Sequence, residues 1–223
     1  MDINPVQNMY QGQNLPEFHP HKAALLCIDI QYHDAAPDFG FFKGTPRSDN
    51  AYYFDRLDHM VFPNVRRLQE CFRTHHLEVI HARICSLTED GRDRSLEHKR
   101  IGCHVPPKSK AAQFIDCVAP VDDEIILNKT GSGVFNTTNL DYILKNLGID
   151  QLVITGVLTN ECIETAVRDA ADRSYTAYIV EDGVAALTQE LHDSSLQTLN
   201  GVYGFTIQTE QMLSIIEDAM RNK

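Results

Sequence analysis

The apolar positions of this chain follow two alternating patterns. Short continuous apolar runs are typical of strands buried on both faces, whereas apolar residues repeating every three or four positions are typical of helices with one buried side. The strand-like runs occupy six segments: 23–30, 77–84, 124–127, 152–154, 177–180 and 204–207. Helical spacing occupies the segments between them: 52–75, 136–147, the stretch after Asn160, a stretch from about 189, and 210–220.

This alternation predicts the fold class. Right-handed crossovers between parallel strands place helices on both faces of one sheet. We therefore expect an α/β protein with a three-layer αβα architecture, built on a doubly wound, mostly parallel six-stranded sheet. Two segments, 32–51 and 85–110, are long and rich in polar or turn-forming residues. Long loops of this kind are usually functional or mobile, and we expect them to cover a pocket.

Length and composition are consistent with one domain. The chain has 223 residues, of which 43% are hydrophobic and 23% charged, as is ordinary for a soluble globular protein. Residues 1–21 are polar and rich in Pro, Gln and Asn, so we expect an N-terminal arm that lies on the surface or on a partner subunit. Residues 22–223 contain no repeat or linker and are predicted to form a single domain.

Charge and cysteine usage restrict the partners and the compartment. The net charge of −11 argues against a nucleic-acid or anionic-membrane partner, and no apolar run approaches the length of a membrane span. Six scattered cysteines without a Cys-x-x-Cys pair match neither a zinc site nor a disulfide framework. We therefore predict a cytoplasmic protein.

Three polar residues follow three predicted strands at the same end. They are Asp29, Lys129 and Cys162, the last in the first helical turn after its strand. Because the carboxyl ends of parallel strands share one edge of the sheet, these side chains can converge. Each also has a simpler interpretation: a turn aspartate, a surface lysine, and a cysteine that only fills the core.

Together the three residues have complementary chemistry. A cysteine nucleophile needs a base to accept its proton and a positive charge nearby. A buried carboxylate at Asp29 can be that base, and Lys129 supplies the charge. The amino end of the helix that carries Cys162 also favours the thiolate. The pattern therefore predicts a thiol nucleophile activated by a carboxylate.

Several segments resemble the signature blocks of the isochorismatase-like cysteine hydrolases: 28–31, 128–135, 156–162 and 165–172. The resemblance extends over roughly 22–207. It implies that Asp29, Lys129 and Cys162 form a catalytic triad. It also implies a cis peptide bond before Leu158 and an oxyanion hole made by the backbone N–H groups of Leu158 and Cys162.

The same resemblance bears on metals. Nicotinamidases of this family carry an Asp-x-His plus His metal site after the second strand, but segment 83–92 lacks that spacing. The ten histidines are dispersed, and the adjacent pair His75 and His76 is expected to be solvated rather than chelating. We predict no metal and no cofactor.

Substrate contacts are expected from the same blocks. The predicted substrate-binding residues are Gln31, Arg83, Phe135, Thr159 and Asn160. Segments 128–135 and 159–162 are most similar to ureidoacrylate, biuret and N-carbamoyl-amine hydrolases. Arg83, at the end of a predicted strand, is either a ligand for a substrate carboxylate or ureido oxygen, or an exposed arginine.

Three functions are compatible with these features. The favoured one is a metal-independent cysteine amidohydrolase that cleaves a small amide or ureido C–N bond through a thioester on Cys162. The alternatives are vinyl-ether hydrolysis with Asp29 as general acid, and a non-catalytic binding module on the same scaffold. Some family members that cleave vinyl ethers lack the cysteine, so Cys162 favours acyl chemistry. The resemblance further implies a small-molecule substrate and a homo-oligomer, either a dimer or a tetramer.

Overall fold

The computed structural model describes residues 14–221 and contains one six-stranded sheet. Its strands are β1 (Ala23–Ile28), β2 (Glu78–Ile84), β3 (Ile125–Lys129), β4 (Gln151–Val157), β5 (Thr176–Ala185) and β6 (Phe205–Ile207). They lie in the order β3-β2-β1-β4-β5-β6, and every neighbouring pair is parallel. The predicted doubly wound sheet is confirmed, and it is parallel throughout rather than mostly parallel.

Helices connect the strands. They are α1 (Tyr32–Ala35), α2 (Ala51–Arg56), α3 (Phe62–Thr74), α4 (Leu96–Arg100), α5 (Val134–Thr137), α6 (Leu140–Leu147), α7 (Glu164–Asp172), α8 (Gln189–Leu199) and α9 (Thr209–Arg221). Two π-helical turns, Leu57–Val61 and Thr159–Ile163, lead into α3 and α7 respectively. Within residues 14–221, no helix has both the length and the apolar character needed to cross a membrane.

Two predicted helices are interrupted, each for a local reason. Segment 52–75 contains the π-helical turn because Pro63 has no N–H to continue the regular ladder, and the N–H of Phe62 bonds instead to the carbonyl of Leu57. Segment 136–147 is divided at Thr138, whose hydroxyl accepts from the N–H of Leu140 and so starts α6. Gly148 ends α6 in a left-handed conformation, as is typical of helix C-termini.

The sheet separates two hydrophobic cores. Successive residues of a strand point to opposite faces, and all of β1 is buried, so alternate β1 side chains enter different cores. One core lies against α2, α3 and α9, and the other lies against α6, α7 and α8. This arrangement confirms the three-layer αβα architecture.

The described part of the predicted arm packs on its own chain. Phe18 is buried with its ring 5.5 Å from that of Tyr178, in an edge-on contact. Gln151 accepts from the His19 N–H at 2.7 Å and donates to the Glu17 carbonyl at 2.8 Å. Residues 1–13 of the predicted arm lie outside the described residues, and the division into 1–21 and 22–223 stays a prediction.

Candidate active site

The crevice at the carboxyl ends of β1 and β4 is the topological switch point of the sheet. The chain winds from β1 through β2 to β3 on one side and from β4 through β5 to β6 on the other, and ligands of such sheets bind at this point. Asp29 directly follows β1, Lys129 is the last residue of β3, and Cys162 lies in the π-helical turn after β4. The strand order therefore brings all three predicted residues to one place.

Asp29 and Lys129 form a buried ion pair. Lys129 Nζ lies 2.7 Å from Asp29 Oδ2, and the side chains are 0% and 1% exposed. Lys129 also donates to the carbonyl of Ser132 at 2.9 Å, which fixes the direction of its ammonium. Asp29 has a left-handed backbone with φ of 56°, a conformation that aspartate tolerates better than most residues. Such sparsely populated conformations cluster at functional sites.

Burial is the largest single influence on the pKa values of Asp29, Lys129 and Cys162. It raises the pKa of Asp29 to about 6, because Lys129 offsets only part of the desolvation and Asp34 adds to it. Burial opposes the charge of Lys129, but Asp29 and Cys162 outweigh it and raise the lysine pKa. Burial also raises the pKa of Cys162 well above its usual value, although Lys129 lowers it. The resting cysteine is therefore a thiol, not the thiolate expected from its place at a helix start.

The turn that carries Cys162 is anchored to α8. His192 Nδ1 lies 3.0 Å from Thr159 Oγ1, and its Nε2 lies 3.0 Å from an Arg56 nitrogen. Because arginine can only donate, His192 accepts at Nε2 and carries its proton on Nδ1. Burial and the charge of Arg56 lower the pKa of His192 to about 4, so the ring is neutral. Ser195 Oγ adds a bond to the Thr159 carbonyl at 3.1 Å.

The backbone before Cys162 agrees with one further expectation. The peptide bond between Val157 and Leu158 is cis, which confirms the conformation that the resemblance implies. Leu158 and Cys162 both line the cavity described next. The role of their N–H groups as oxyanion donors stays a prediction.

A cavity of about 260 Å³ opens beside Asp29 and Cys162. Its apolar lining includes Phe41, Phe42, Ile84, Ile101, Leu158 and Leu187. Its polar lining includes Asp34, Glu97, His98, Cys103, Ser132 and Glu161. Segments 32–51 and 85–110 thus both contribute to its wall, as expected.

The polar lining was missed by the sequence predictions. Asp34, Glu97, His98 and Cys103 belong to the two long connecting segments, whose short helices and turns carry no periodic pattern that would place them. Glu161 is different, because it directly precedes Cys162 within a recognised block. Its position next to the predicted nucleophile is a sequence feature that identifies Glu161 as a candidate residue of the site.

The predicted substrate-binding residues Gln31 and Arg83 do not line this cavity. Gln31 is fully buried, donates to the Ile84 carbonyl at 2.9 Å, and accepts from the Ile84 N–H at 2.6 Å. Arg83 donates to Asn128 Oδ1 at 2.8 Å and to the Ala112 carbonyl at 2.7 Å. Both side chains therefore join connecting segments to the carboxyl edge of the sheet, and their contact with substrate stays a prediction.

The other three predicted substrate contacts are also absent from the cavity lining. Phe135 is buried against Tyr175, with ring centres 5.6 Å apart. Thr159 is bonded to His192 as described above. Asn160 is half-buried, and its Oδ1 has no hydrogen-bond partner within residues 14–221. The structure does not bring these three side chains to the cavity.

Residues with metal-ligating groups lie close together at one place in the described part of the chain. Cys71, His75 and Glu217 have ligand atoms within 4.8 Å of one another. They lie on α3, directly after it, and on α9, and none of them lines the cavity. His75, which was expected to be solvated, lies 3.1 Å from a carboxylate oxygen of Glu217.

Comparisons with known proteins place this geometry in a family. The model of the Isochorismatase domain matches residues 23–211. The chain is 25% identical over 204 residues to the uncharacterized isochorismatase family protein YrdC of Bacillus subtilis, covering 86% of this chain and 95% of that protein. It is 24% identical over 162 residues to the N-carbamoylsarcosine amidase of an Arthrobacter species, covering 70% of this chain and 61% of that protein.

A solved structure shows the same fold. The cysteine hydrolase from Pseudomonas syringae superposes with a TM-score of 0.79 at 22% identity, covering 94% of this chain and all of that one. Its match extends over the six-stranded sheet and the flanking helices. Because the family model also covers most of the sequence, the chain belongs to the isochorismatase family and is a hydrolase of the isochorismatase-like type.

Proposed function

We propose that this hydrolase is a metal-independent cysteine amidohydrolase that cleaves a small amide or ureido C–N bond through a thioester on Cys162. The observation that carries the proposal is the buried ion pair of Asp29 and Lys129 beside the Cys162 thiol at the cavity wall. Similarity to an N-carbamoylsarcosine amidase supports the choice of a C–N bond.

The first half-reaction forms the thioester. Asp29 accepts the thiol proton while the sulfur of Cys162 attacks the substrate carbonyl carbon. The backbone N–H groups of Leu158 and Cys162 hold the developing oxyanion. Lys129 stays protonated, stabilises the negative sulfur during proton transfer, and keeps the Asp29 carboxylate in place. A base with a pKa of about 6 is ionised at neutral pH and still accepts a proton readily.

The second half-reaction releases the products. When the tetrahedral intermediate collapses, the C–N bond breaks and Asp29 returns its proton to the departing nitrogen, which leaves as ammonia or an amine. Asp29, again a carboxylate, takes a proton from water as that water attacks the thioester carbonyl. The C–S bond then breaks, the proton returns to sulfur, and the acid product leaves.

Two alternatives remain for the test to separate. Vinyl-ether hydrolysis with Asp29 as general acid is compatible with the family name and needs no nucleophilic thiol. A binding module without catalysis is disfavoured, because the family consists of hydrolases and the cavity holds an intact pair of Asp29 and Cys162.

We also propose a homo-oligomer in a reducing, cytoplasmic compartment. All six cysteines are free thiols, which suits such a compartment. The oligomer rests on the family resemblance, and its mass in solution by light scattering would test it.

The test of the proposed function is ammonia release from ureido acids, biuret, N-carbamoyl amino acids and simple carboxamides, with and without a chelator. We expect turnover that the chelator does not change and that Cys162→Ala reduces by at least about 1,000-fold, since it removes the nucleophile. Cys117→Ala, at an exposed cysteine outside the cavity, serves as the matched control and should keep full activity. Circular dichroism checks that each variant is folded.

The outcome that would contradict the proposal is equally specific. If none of these compounds released ammonia and isochorismate, assayed separately for vinyl-ether cleavage, were turned over by Cys162→Ala but not by Asp29→Asn, the vinyl-ether alternative would replace the thioester mechanism.

A further inference from the structure

Within residues 14–221, four carboxylates and no lysine or arginine contribute to the cavity wall. The carboxylates are those of Asp29, Asp34, Glu97 and Glu161. Lys129 lies behind this wall, where its ammonium is already engaged by Asp29 and by the Ser132 carbonyl. A carboxylate-bearing substrate would therefore meet no free positive charge on this surface.

Two of the four carboxylates are neutralised by buried cations. Asp29 pairs with Lys129 at 2.7 Å, and Asp34 Oδ1 lies 2.9 Å from His33 Nδ1. Burial lowers the pKa of His33, but hydrogen bonds to Asp34 and Cys103 outweigh it and raise the pKa to about 10. His33 is therefore protonated at neutral pH, and each of these two pairs has no net charge.

The other two carboxylates are not neutralised. Glu97 accepts weak hydrogen bonds from Ser132 Oγ at 3.3 and 3.4 Å and lies 3.7 Å from His98 Nε2. Burial lowers the pKa of His98, so this ring supplies no positive charge. The Glu161 carboxylate has no hydrogen-bond or ion-pair partner among residues 14–221, and its pKa is raised by burial and then by Asp34 and Glu97. The cavity wall thus holds two carboxylates, those of Glu97 and Glu161, that no cation within residues 14–221 neutralises.

Two buried acceptor atoms in the cavity wall also favour a ligand that carries N–H groups. Asp29 Oδ1 and Asp34 Oδ2 are buried, and no N–H group of the described residues donates to either atom, although both residues line the cavity. Buried acceptors of this kind are normally satisfied, so N–H groups of a ligand would complete them. The Phe41 ring, also in the wall and 57% exposed, is an aromatic group of the kind that attracts cations.

We propose that the substrate is a small amide or ureido compound that also carries a protonated amine, and that Glu97 and Glu161 bind this cationic group with Phe41 beside it. The inference rests on the proposed amidohydrolase function and specifies its substrate class. It replaces the expectation that Arg83 holds a substrate carboxylate, because that guanidinium is bonded to Asn128 and Ala112 outside the cavity.

The first test measures the charge preference of the cavity without any turnover. Cys162 is labelled with three methanethiosulfonates that differ only in the transferred group: 2-aminoethyl, methyl and 2-sulfonatoethyl. In each case the thiolate forms a disulfide with the reagent sulfur and methanesulfinate leaves. Rates at the Cys162 peptide are read by mass spectrometry and divided by those of 2-mercaptoethanol. We expect the cationic reagent to be favoured over the anionic one by at least about tenfold.

Variants show whether the two glutamates cause this preference. Glu97→Gln combined with Glu161→Gln should remove most of the cation-over-anion ratio. Asp172→Asn removes the same charge at the exposed far end of α7 and should leave the ratio unchanged. Equal labelling by the two charged reagents in the unmodified protein, or a ratio that the double variant does not lower, would overturn the inference.

The second test uses substrates. Three ureas with the same four-carbon chain, ending in an ammonium, a methyl or a carboxylate group, are compared by kcat/KM. The ammonium compound should be the best, and the double glutamine variant should raise its KM more than that of the methyl compound. Preference for the methyl or carboxylate compound would overturn the substrate class and leave the amidohydrolase standing. If cation-selective labelling were observed but no urea or amide were cleaved, the proposed function itself would fail, and the substrate class with it.

Discussion

The surroundings of Asp29 determine most of the chemistry of the site. Lys129 favours its charged form, whereas burial and the neighbouring Asp34 oppose it. A buried ion pair is weak evidence for stability, because desolvation can cost as much as the attraction returns. We infer that this pair is present for proton transfer at Cys162 rather than for folding.

The contribution of Asp34 gives a prediction about pH. Asp29 must be ionised to accept the thiol proton, so activity is lost as the pH falls through its pKa of about 6. Asp34→Asn removes a negative charge that raises this pKa. The acid limb of kcat/KM should therefore move to lower pH.

The control for this experiment is Asp172→Asn, which changes the same charge far from the cavity and should leave the limb in place. Because His33 loses its partner in Asp34→Asn, thermal unfolding is followed in parallel. An acid limb that stays at its original position or moves to higher pH would contradict the role given to Asp34.

Asp29 lies close to the turn that carries Cys162 because β1 and β4 are neighbouring strands whose ends lie close together. Gly156 has φ of 122°, and a Cβ built on it would lie 1.9 Å from the carbonyl oxygen of Ile28. Only glycine fits this backbone contact, because any side chain would push the two strand ends apart. The site therefore depends on the absence of a side chain at Gly156 in β4.

Gly156→Ala should consequently be far more damaging than an ordinary glycine substitution. Gly148→Ala is the matched control, since Gly148 also has a left-handed φ, of 69°, but nothing lies within 4 Å of its added Cβ. In urea unfolding we expect a loss of about 1–2 kcal/mol for Gly148→Ala and at least about 4 kcal/mol for Gly156→Ala. Similar losses in both variants would show that contact with Ile28 is not the constraint.

In residues 14–221, the two largest hydrophobic cores lie on opposite faces of the sheet, which keeps them apart. Leu68 of α3 belongs to one core and Leu144 of α6 to the other, and both are fully buried. Side chains on opposite faces of a continuous sheet share few partners. Their contributions to the free energy of unfolding should therefore be nearly independent.

Leu68→Ala and Leu144→Ala should each lower the free energy of unfolding by about 2–5 kcal/mol. The double variant should lose the sum of the two to within about 0.5 kcal/mol. Chemical denaturation measures all three, with the dependence on denaturant concentration checked for constancy. A departure from the sum of more than about 1 kcal/mol would mean that the two cores respond to each other through the sheet.

The order of strands and helices, and the residues at the strand ends, can be predicted from the amino-acid sequence alone. Both follow from local periodicity, which the backbone geometry of each element imposes along the chain. For this reason the sequence pattern predicts Asp29, Lys129 and Cys162 as one cluster, and the three residues lie together in the structure.

The directions of the side chains near those strand ends, and the pairing of their charges, depend on the three-dimensional arrangement of distant segments. Gln31 and Arg83 also lie at strand ends, but each donates to a carbonyl of a connecting segment that no pattern places, Ala111 for Gln31 and Ala112 for Arg83. The pairing of Asp34 with His33, the unpaired Glu161 and the high thiol pKa of Cys162 depend in the same way on burial and on contacts between distant segments. Sequence periodicity carries no information on those distances, and they set the charge of the cavity.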